Sequence, residues 1–240
     1  MIQLTIDNQP IEITEGRTLL EACRENGIQV PTLCYHPALR PYGACRLCMV
    51  ELVFGENDSR LVASCAYPCE DGLVVRTNSE AVKKNRRLTL ELLLASAYQT
   101  PEIIALAKEL GVDKIRYKLQ EVDACILCAL CVRACKEIVG VEAISMTGRG
   151  MSKEVSPPFE VASSTCIGCG TCVLICPTGC IKLDDVYGKR NEHRFSSDYE
   201  FRLCRICGDS SAGPQSNQPL ADSLEILSES SLESSGNGNR

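Results

Sequence analysis

The sequence has no tryptophan, only two histidines (His36 and His193) and few aromatic residues, 5% of 240. With a net charge of −6, it shows no cationic or stacking footprint for nucleic acid. The basic run Lys83, Lys84, Arg86 and Arg87 is flanked by acidic residues and reads as a solvated helix face, with a partner-docking patch as the alternative. No apolar run approaches the roughly 18 residues of a membrane span; the nearest, 90–97, lies inside an amphipathic pattern, so no spanning segment is expected. The opening Met1-Ile-Gln-Leu-Thr-Ile-Asp has neither a basic nor an apolar signal region, which points to the reducing cytoplasm. Also missing are a G-x-G-x-x-G after a strand, a P-loop, a Ser/His/Asp set and paired carboxylates, so no catalytic residue is named.

Cysteine, by contrast, abounds: 17 residues, an odd number, far above ordinary usage. Reduced thiols that bind metal account for this better than a disulfide scaffold. The stretch Cys166-Ile-Gly-Cys169-Gly-Thr-Cys172-Val-Leu-Ile-Cys176-Pro177 has the C-x2-C-x2-C-x3-C-P spacing of an iron–sulfur cube. The spacing recurs as Cys125-Ile-Leu-Cys128-Ala-Leu-Cys131-Val-Arg-Ala-Cys135, with Lys136 where the other copy has Pro177. Two copies imply two [4Fe–4S] clusters. The fourth cysteine of each run crosses to the other cube, giving Cys125, Cys128, Cys131 and Cys176 for one and Cys166, Cys169, Cys172 and Cys135 for the other. A short strand over 141–146 and a matching one over 181–183 would complete a pseudo-symmetric ferredoxin module. Its core is too small to fold on apolar burial alone, so folding and cluster binding should be coupled.

At the other end, Ile2, Leu4 and Ile6, then Ile11 and Ile13, alternate with polar residues around Asn8-Gln9-Pro10 and predict a hairpin. Thr18 with Glu21 forms a capping box for a following helix, and Gly27 suits its end. A loop with Cys34, Cys45 and Cys48 precedes strands over 47–54, 61–64 and 72–76. Hairpin, helix, metal loop and returning strands are the order of a β-grasp, which binds [2Fe–2S] through three loop cysteines and one from a distant strand. Cys65, at a strand end, suits the fourth place better than Cys69, which lies beyond Pro68. Zinc sites usually pair two C-x2-C knuckles, and this segment has one.

Thr32-Leu-Cys34-Tyr-His36-Pro37, Gly43-Ala-Cys45-Arg-Leu-Cys48-Met-Val-Glu51 and Ser64-Cys65-Ala-Tyr-Pro68 resemble the N-terminal part of the large iron–sulfur subunit of respiratory complex I. They are equally similar to the diaphorase iron–sulfur subunit of NAD-linked hydrogenases and to NAD-dependent formate dehydrogenases. The likeness runs over about residues 1–185. It implies Cys65 as fourth ligand and gives His36 no ligand role. Relatives carry an additional [4Fe–4S] cluster held by one histidine and three cysteines. Here no cysteine stands between Cys69 and Cys125, so that cluster is expected to be absent.

The expected fold is α+β: a [2Fe–2S] β-grasp domain at 1–78, a helical linker at 79–120, a bacterial-type two-cubane domain at 121–186, and an extension at 187–240 that is largely disordered. Helices are expected over 79–94 and from Pro101 to Gly111. Arg133 and Lys136 lie near a cube in sequence and are candidates for raising its potential, though an equal case exists for solvated side chains. Of the remaining cysteines, Cys23 and Cys180 read as small buried hydrophobes and Cys69 as a bystander. Cys204 and Cys207 form a lone knuckle, a possible extra metal site lacking two ligands. The resemblance implies an electron-relay subunit of an NAD(P)H-linked complex, between a flavin subunit and a hydrogenase, dehydrogenase or reductase partner, with no substrate site of its own. The alternative is a free ferredoxin-like carrier.

Overall fold

The computed structural model describes residues 1–56, 58–112, 116–117, 124–157, 165–181, 202–203 and 210–211. The alternating start of the chain forms β1 (Ile2–Ile6) and β2 (Gln9–Ile13), paired antiparallel. The hairpin turn lies one step earlier than expected. Asp7 and Asn8 take the left-handed φ values, +48° and +67°, of a two-residue loop, and Gln9 and Pro10 already belong to β2. Pro10 is tolerated because β2 is a sheet edge.

Strands β3 (Met49–Val53), β4 (Ser59–Ala63) and β5 (Val74–Arg76) complete a sheet ordered β2-β1-β5-β3-β4. β1 and β5 run parallel, and the other neighbours antiparallel. Helix α1 (Leu19–Glu25) buries Leu19, Leu20, Ala22 and Cys23 in a core with Leu4, Ile6, Ile11, Ile13, Val50, Leu52 and Val75. Its capping box is complete: the Thr18 hydroxyl accepts from the Glu21 amide at 3.3 Å, and the Glu21 carboxylate accepts from the Thr18 amide at 2.8 Å.

The linker forms α2 (Glu80–Ala97), capped by Ser79, and α3 (Pro101–Glu109), which starts on a proline and ends before Gly111 at φ +68°. Along α2 the buried residues Val82, Arg86, Leu90 and Leu94 recur every four positions. Arg86 therefore corrects the sequence reading. It is 5% exposed and points inward, whereas Lys83 pairs with Glu80 at 3.0 Å on the outer face.

The chain divides into two compact units, Met1–Leu130 with Cys176–Cys180, and Cys131–Ile175 with Ile181–Arg240. Within the first cysteine run, α4 (Leu130–Arg133) carries Cys131 and continues as a π-helical turn (Ala134–Val139) that carries Cys135 and is closed by Gly140 at φ +77°. The strand expected over 141–146 is shorter and later: β6 (Ser145–Thr147) pairs antiparallel with β7 (Glu154–Ser156), a partner the sequence reading did not foresee. Of the expected matching strand at 181–183, only Ile181 is described. Helix α5 (Thr171–Leu174) is a single turn inside the second cysteine run. Strands β8 (Arg202–Leu203) and β9 (Ser210–Ser211) pair antiparallel. His193, Cys204, Cys207 and the serine-rich tail after Ser211 lie outside the described residues.

Candidate metal centres

Four thiols of the first unit, Cys34, Cys45, Cys48 and Cys65, are each at most 6% exposed. They meet in pairs. The Cys45 amide donates to the Cys34 sulfur at 3.4 Å, and the Cys45 thiol is pushed up by its hydrogen bond to Cys34 and by burial. Cys65 donates to Cys48, which pulls the Cys48 thiol down to about 6, and the same bond with burial pushes Cys65 up. The charges of Cys34 and Cys45 also act on Cys65, so the four form one group.

Backbone geometry fixes this group. Gly43 and Arg46 take φ +69° and +58°, folding the loop back on itself. The Ser64 amide and hydroxyl both donate to the Cys48 carbonyl, at 3.1 and 2.7 Å. Two first-turn amides of α1, Leu19 and Leu20, donate to the carbonyls of Tyr67 and Ser64 at 2.9 and 3.0 Å. The segment bearing Cys65 is thus held between a helix N-terminus and the Cys48 strand. The Cys69 thiol is pushed up to about 11 by burial and then by the charges of Glu21 and Glu25. His36 accepts from the Ala38 amide at 3.2 Å through Nδ1, a local turn contact.

Among the described residues no three His, Cys, Asp or Glu side chains converge as they would on a single ion. Two thiol pairs are what a two-iron cluster needs, one pair per iron, and the donor set fits it.

In the second unit Cys135, Cys166, Cys169 and Cys172 line one cavity, walled by Val139, Val141, Ala143, Ile144 and Ile167. The Ala143 amide donates to the Cys135 sulfur at 3.3 Å. The Cys172 thiol is pushed up by burial, then by the charges of Cys169, Cys131, Cys166 and Cys135. Four thiols in an apolar pocket with an amide aimed at one sulfur fit a cube. In the first unit, burial pushes Cys128 up to about 11, with Cys176, Cys34 and Cys180 acting on it. Cys131 falls in the second unit, so its grouping with Cys125, Cys128 and Cys176 rests on spacing.

Both runs share one backbone device. Leu127 and Ala129 take φ +52° and +59°, and the equivalent Gly168 and Gly170 take +67° and +71°. Left-handed residues alternating with ordinary ones turn successive amides to one side, a concavity that favours an anion. Only the second copy meets this demand with glycine.

Sequence reasoning missed two residues. Cys180 is more than a small buried hydrophobe: its sulfur lies 3.4 Å from that of Cys176, and it hydrogen-bonds Cys125. Arg86 was masked by its basic neighbours, although its four-residue register with Val82 and Leu90 was the available signal. Lys136, in contrast, forms an exposed pair with Glu142 at 3.0 Å, while Arg133 is buried.

Residues 1–80 match the 2Fe-2S iron-sulfur cluster binding domain family, and residues 120–183 the 4Fe-4S dicluster domain family. The chain thus carries a 2Fe-2S domain followed by a 4Fe-4S dicluster domain. It is 33% identical to an NADH-quinone oxidoreductase chain of Rhizobium meliloti (strain 1021), over 75% of this chain and 24% of that protein. It is also 33% identical to the NADP-reducing hydrogenase subunit HndD of Solidesulfovibrio fructosivorans, over 75% of this chain and 36% of the other. The chain therefore spans about a quarter to a third of these relatives' length. A chain in the crystal structure of an NAD+-reducing [NiFe]-hydrogenase in the H2-reduced state superposes with a TM-score of 0.59 at 28% identity, covering 88% of each chain. Among the described residues no helix is long and apolar enough to cross a membrane.

Proposed function

We propose that the chain is the iron–sulfur relay subunit of a cytoplasmic, multisubunit NAD(P)H-linked oxidoreductase, passing electrons between a flavin subunit and a hydrogenase, dehydrogenase or reductase partner. Cys34, Cys45, Cys48 and Cys65 would hold one [2Fe–2S] cluster. Cys125, Cys128, Cys131 and Cys176 would hold one [4Fe–4S] cluster, and Cys135 with Cys166, Cys169 and Cys172 a second. The layout would be a [2Fe–2S] domain at 1–78, a helical linker at 79–120, a two-cubane domain at 121–186 and an extension at 187–240. When bound, such clusters supply reversible one-electron storage at potentials spanning about −700 to +450 mV. The chain's own contribution is to bury the thiolates, aim amides at sulfur and keep water away. The observation that carries the reading is the cavity in which Cys135, from the first run, joins the first three cysteines of the second. That crossover is the signature of a paired-cube module rather than two independent metal knuckles.

The test is anaerobic isolation from the native host through a tag on this chain. Iron and acid-labile sulfide in near-equal amounts, one [2Fe–2S] and two interacting [4Fe–4S] signals in EPR, and a co-purifying flavoprotein support the reading. A brown protein that elutes alone as a monomer favours a free ferredoxin-like carrier instead. Zinc in place of iron sinks both.

A further inference from the structure

Arg86 occupies a place where the α2 register calls for an aliphatic side chain, between Val82 and Leu90 on the buried stripe. Burying an unpaired guanidinium costs several kcal/mol, so its surroundings must compensate. They do so through two carbonyls: Nε donates to the Leu47 carbonyl at 3.1 Å and Nη2 to the Met49 carbonyl at 3.0 Å. These are the residues on either side of Cys48. The fork of the guanidinium thus grips both flanks of one thiol of the metal loop, from a helix 37 to 39 residues further along the chain.

Two carbonyls satisfy donors but do not neutralise a charge. Burial foremost pushes the Arg86 guanidinium below its ordinary value, and Cys48, then Cys23 and Asp7, act against it. Cys23 is itself pushed up to about 12, first by burial, and stays a neutral thiol near pH 7. Asp7 is already engaged, accepting from the Thr77 amide at 2.7 Å and from its hydroxyl. These hydrogen bonds leave Asp7 charged, but it acts on Arg86 less than Cys48 does, so the leading counter-charge is the Cys48 thiolate and whatever it ligates.

We propose that Arg86 is a positioning and potential-setting residue for the Cys34/Cys45/Cys48/Cys65 centre, its bidentate grip on the Leu47 and Met49 carbonyls holding a permanent positive charge beside Cys48. Reduction of the centre adds one negative charge without displacing this cation. The reduced state is therefore favoured, and the potential sits higher than an uncharged residue at position 86 would allow. Lysine keeps the charge but loses the rigid fork, whereas glutamine keeps a donor and loses the charge.

The inference rests on the [2Fe–2S] reading above, and the experiment separates the two. The anaerobically isolated complex is titrated electrochemically, following the [2Fe–2S] EPR signal in the wild-type chain and in Arg86→Gln and Arg86→Lys variants, with urea unfolding of each chain alongside. Arg86→Gln is expected to lower the reduced-to-oxidised ratio at a fixed ambient potential about tenfold, equivalent to about 59 mV for one electron. Arg86→Lys should hold the ratio within threefold of wild type while unfolding at lower urea. Both variants folding with wild-type potentials, or a Lys variant shifted as far as tenfold, would overturn the proposal and leave Arg86 a structural clamp only. If the Gln variant fails to assemble the centre, Arg86→Met, which also removes the charge, is titrated in its place and judged by the same tenfold criterion. A wild-type protein with no [2Fe–2S] signal would refute the underlying reading instead.

Discussion

Replacing Cys65 by alanine and, separately, Cys69 by serine sets two buried thiols only four residues apart against each other. Cys65 is 1% exposed, donates to Cys48 and feels the charges of Cys34 and Cys45, so its loss removes half of one thiol pair. Alanine offers no ligand atom. The [2Fe–2S] EPR signal should disappear, and iron should fall by about a fifth, two atoms of roughly ten, if the cubes remain. Cys69 is 5% exposed and neutral, its amide donating to the Arg17 carbonyl at 2.8 Å. Serine there puts a hydroxyl into an apolar site at a cost of about 1–3 kcal/mol while leaving all four ligands in place. Its signal should persist at full intensity, with urea unfolding shifted to lower concentration. Anaerobic EPR, iron analysis and urea titration on the same preparations give the answer. Loss of the signal in Cys69→Ser with retention in Cys65→Ala would refute the assignment and the geometry behind it.

The remaining perturbations probe the supports of the sites. Thr18→Ala breaks the capping box of the helix that holds the Cys65 segment, and should cost about 1 kcal/mol in chemical unfolding. Cys135→Ala should remove the same cubane EPR signal as Cys166→Ala, whereas Cys128→Ala should remove the other; a Cys135→Ala spectrum matching Cys128→Ala would show that the crossover is misassigned. Glu51 is buried on β3, and the hydrogen bond from Ser59 at 2.8 Å foremost holds its carboxyl below the usual range. Its folded value is the lower one, so its stabilisation is present above the ordinary carboxylate pKa of about 4.3 and lost as pH falls through the depressed value. Glu51→Gln should therefore flatten the acid limb of urea midpoints measured between about pH 3 and 6.

The elements of the β-grasp and of the linker were legible because each has a local cause: alternation in β1 and β2, Thr18 with Glu21 at the start of α1, and Ser79 and Pro101 opening α2 and α3. The proposed cysteine groups come from a different signal, since ligand spacing is set by cluster chemistry rather than by packing. What escaped depends on tertiary context. The inward turn of Arg86 needs the carbonyls of Leu47 and Met49, which no pattern near residue 86 announces. The partner of β6 is β7, and the sequence between them carries no strong hairpin signal beyond its glycines. The contact of Cys180 with Cys176 follows from a turn after Pro177, where four residues bring two sulfurs together without a regular helix.

The expected absence of a histidine-and-cysteine cluster bears on how a relay of the proposed kind would keep its continuity. Tunnelling rates fall steeply with distance, so deleting an intermediate centre is tolerable only if the centres on either side are close. No cysteine lies between Cys69 and Cys125 to replace it. Within the first unit, burial foremost and then Cys176 and Cys34 act to push up the Cys128 thiol, so clusters held at Cys34 and at Cys128 would feel each other's charge. Centres near enough to sense each other's charge are coupled in energy as well as in rate: an electron on one makes the next electron harder to place on the other. A cation fixed beside Cys48 then has a purpose beyond local stability. It would offset that repulsion at a centre held by Cys34, Cys45, Cys48 and Cys65, so that such a centre could stay reduced while a neighbour filled.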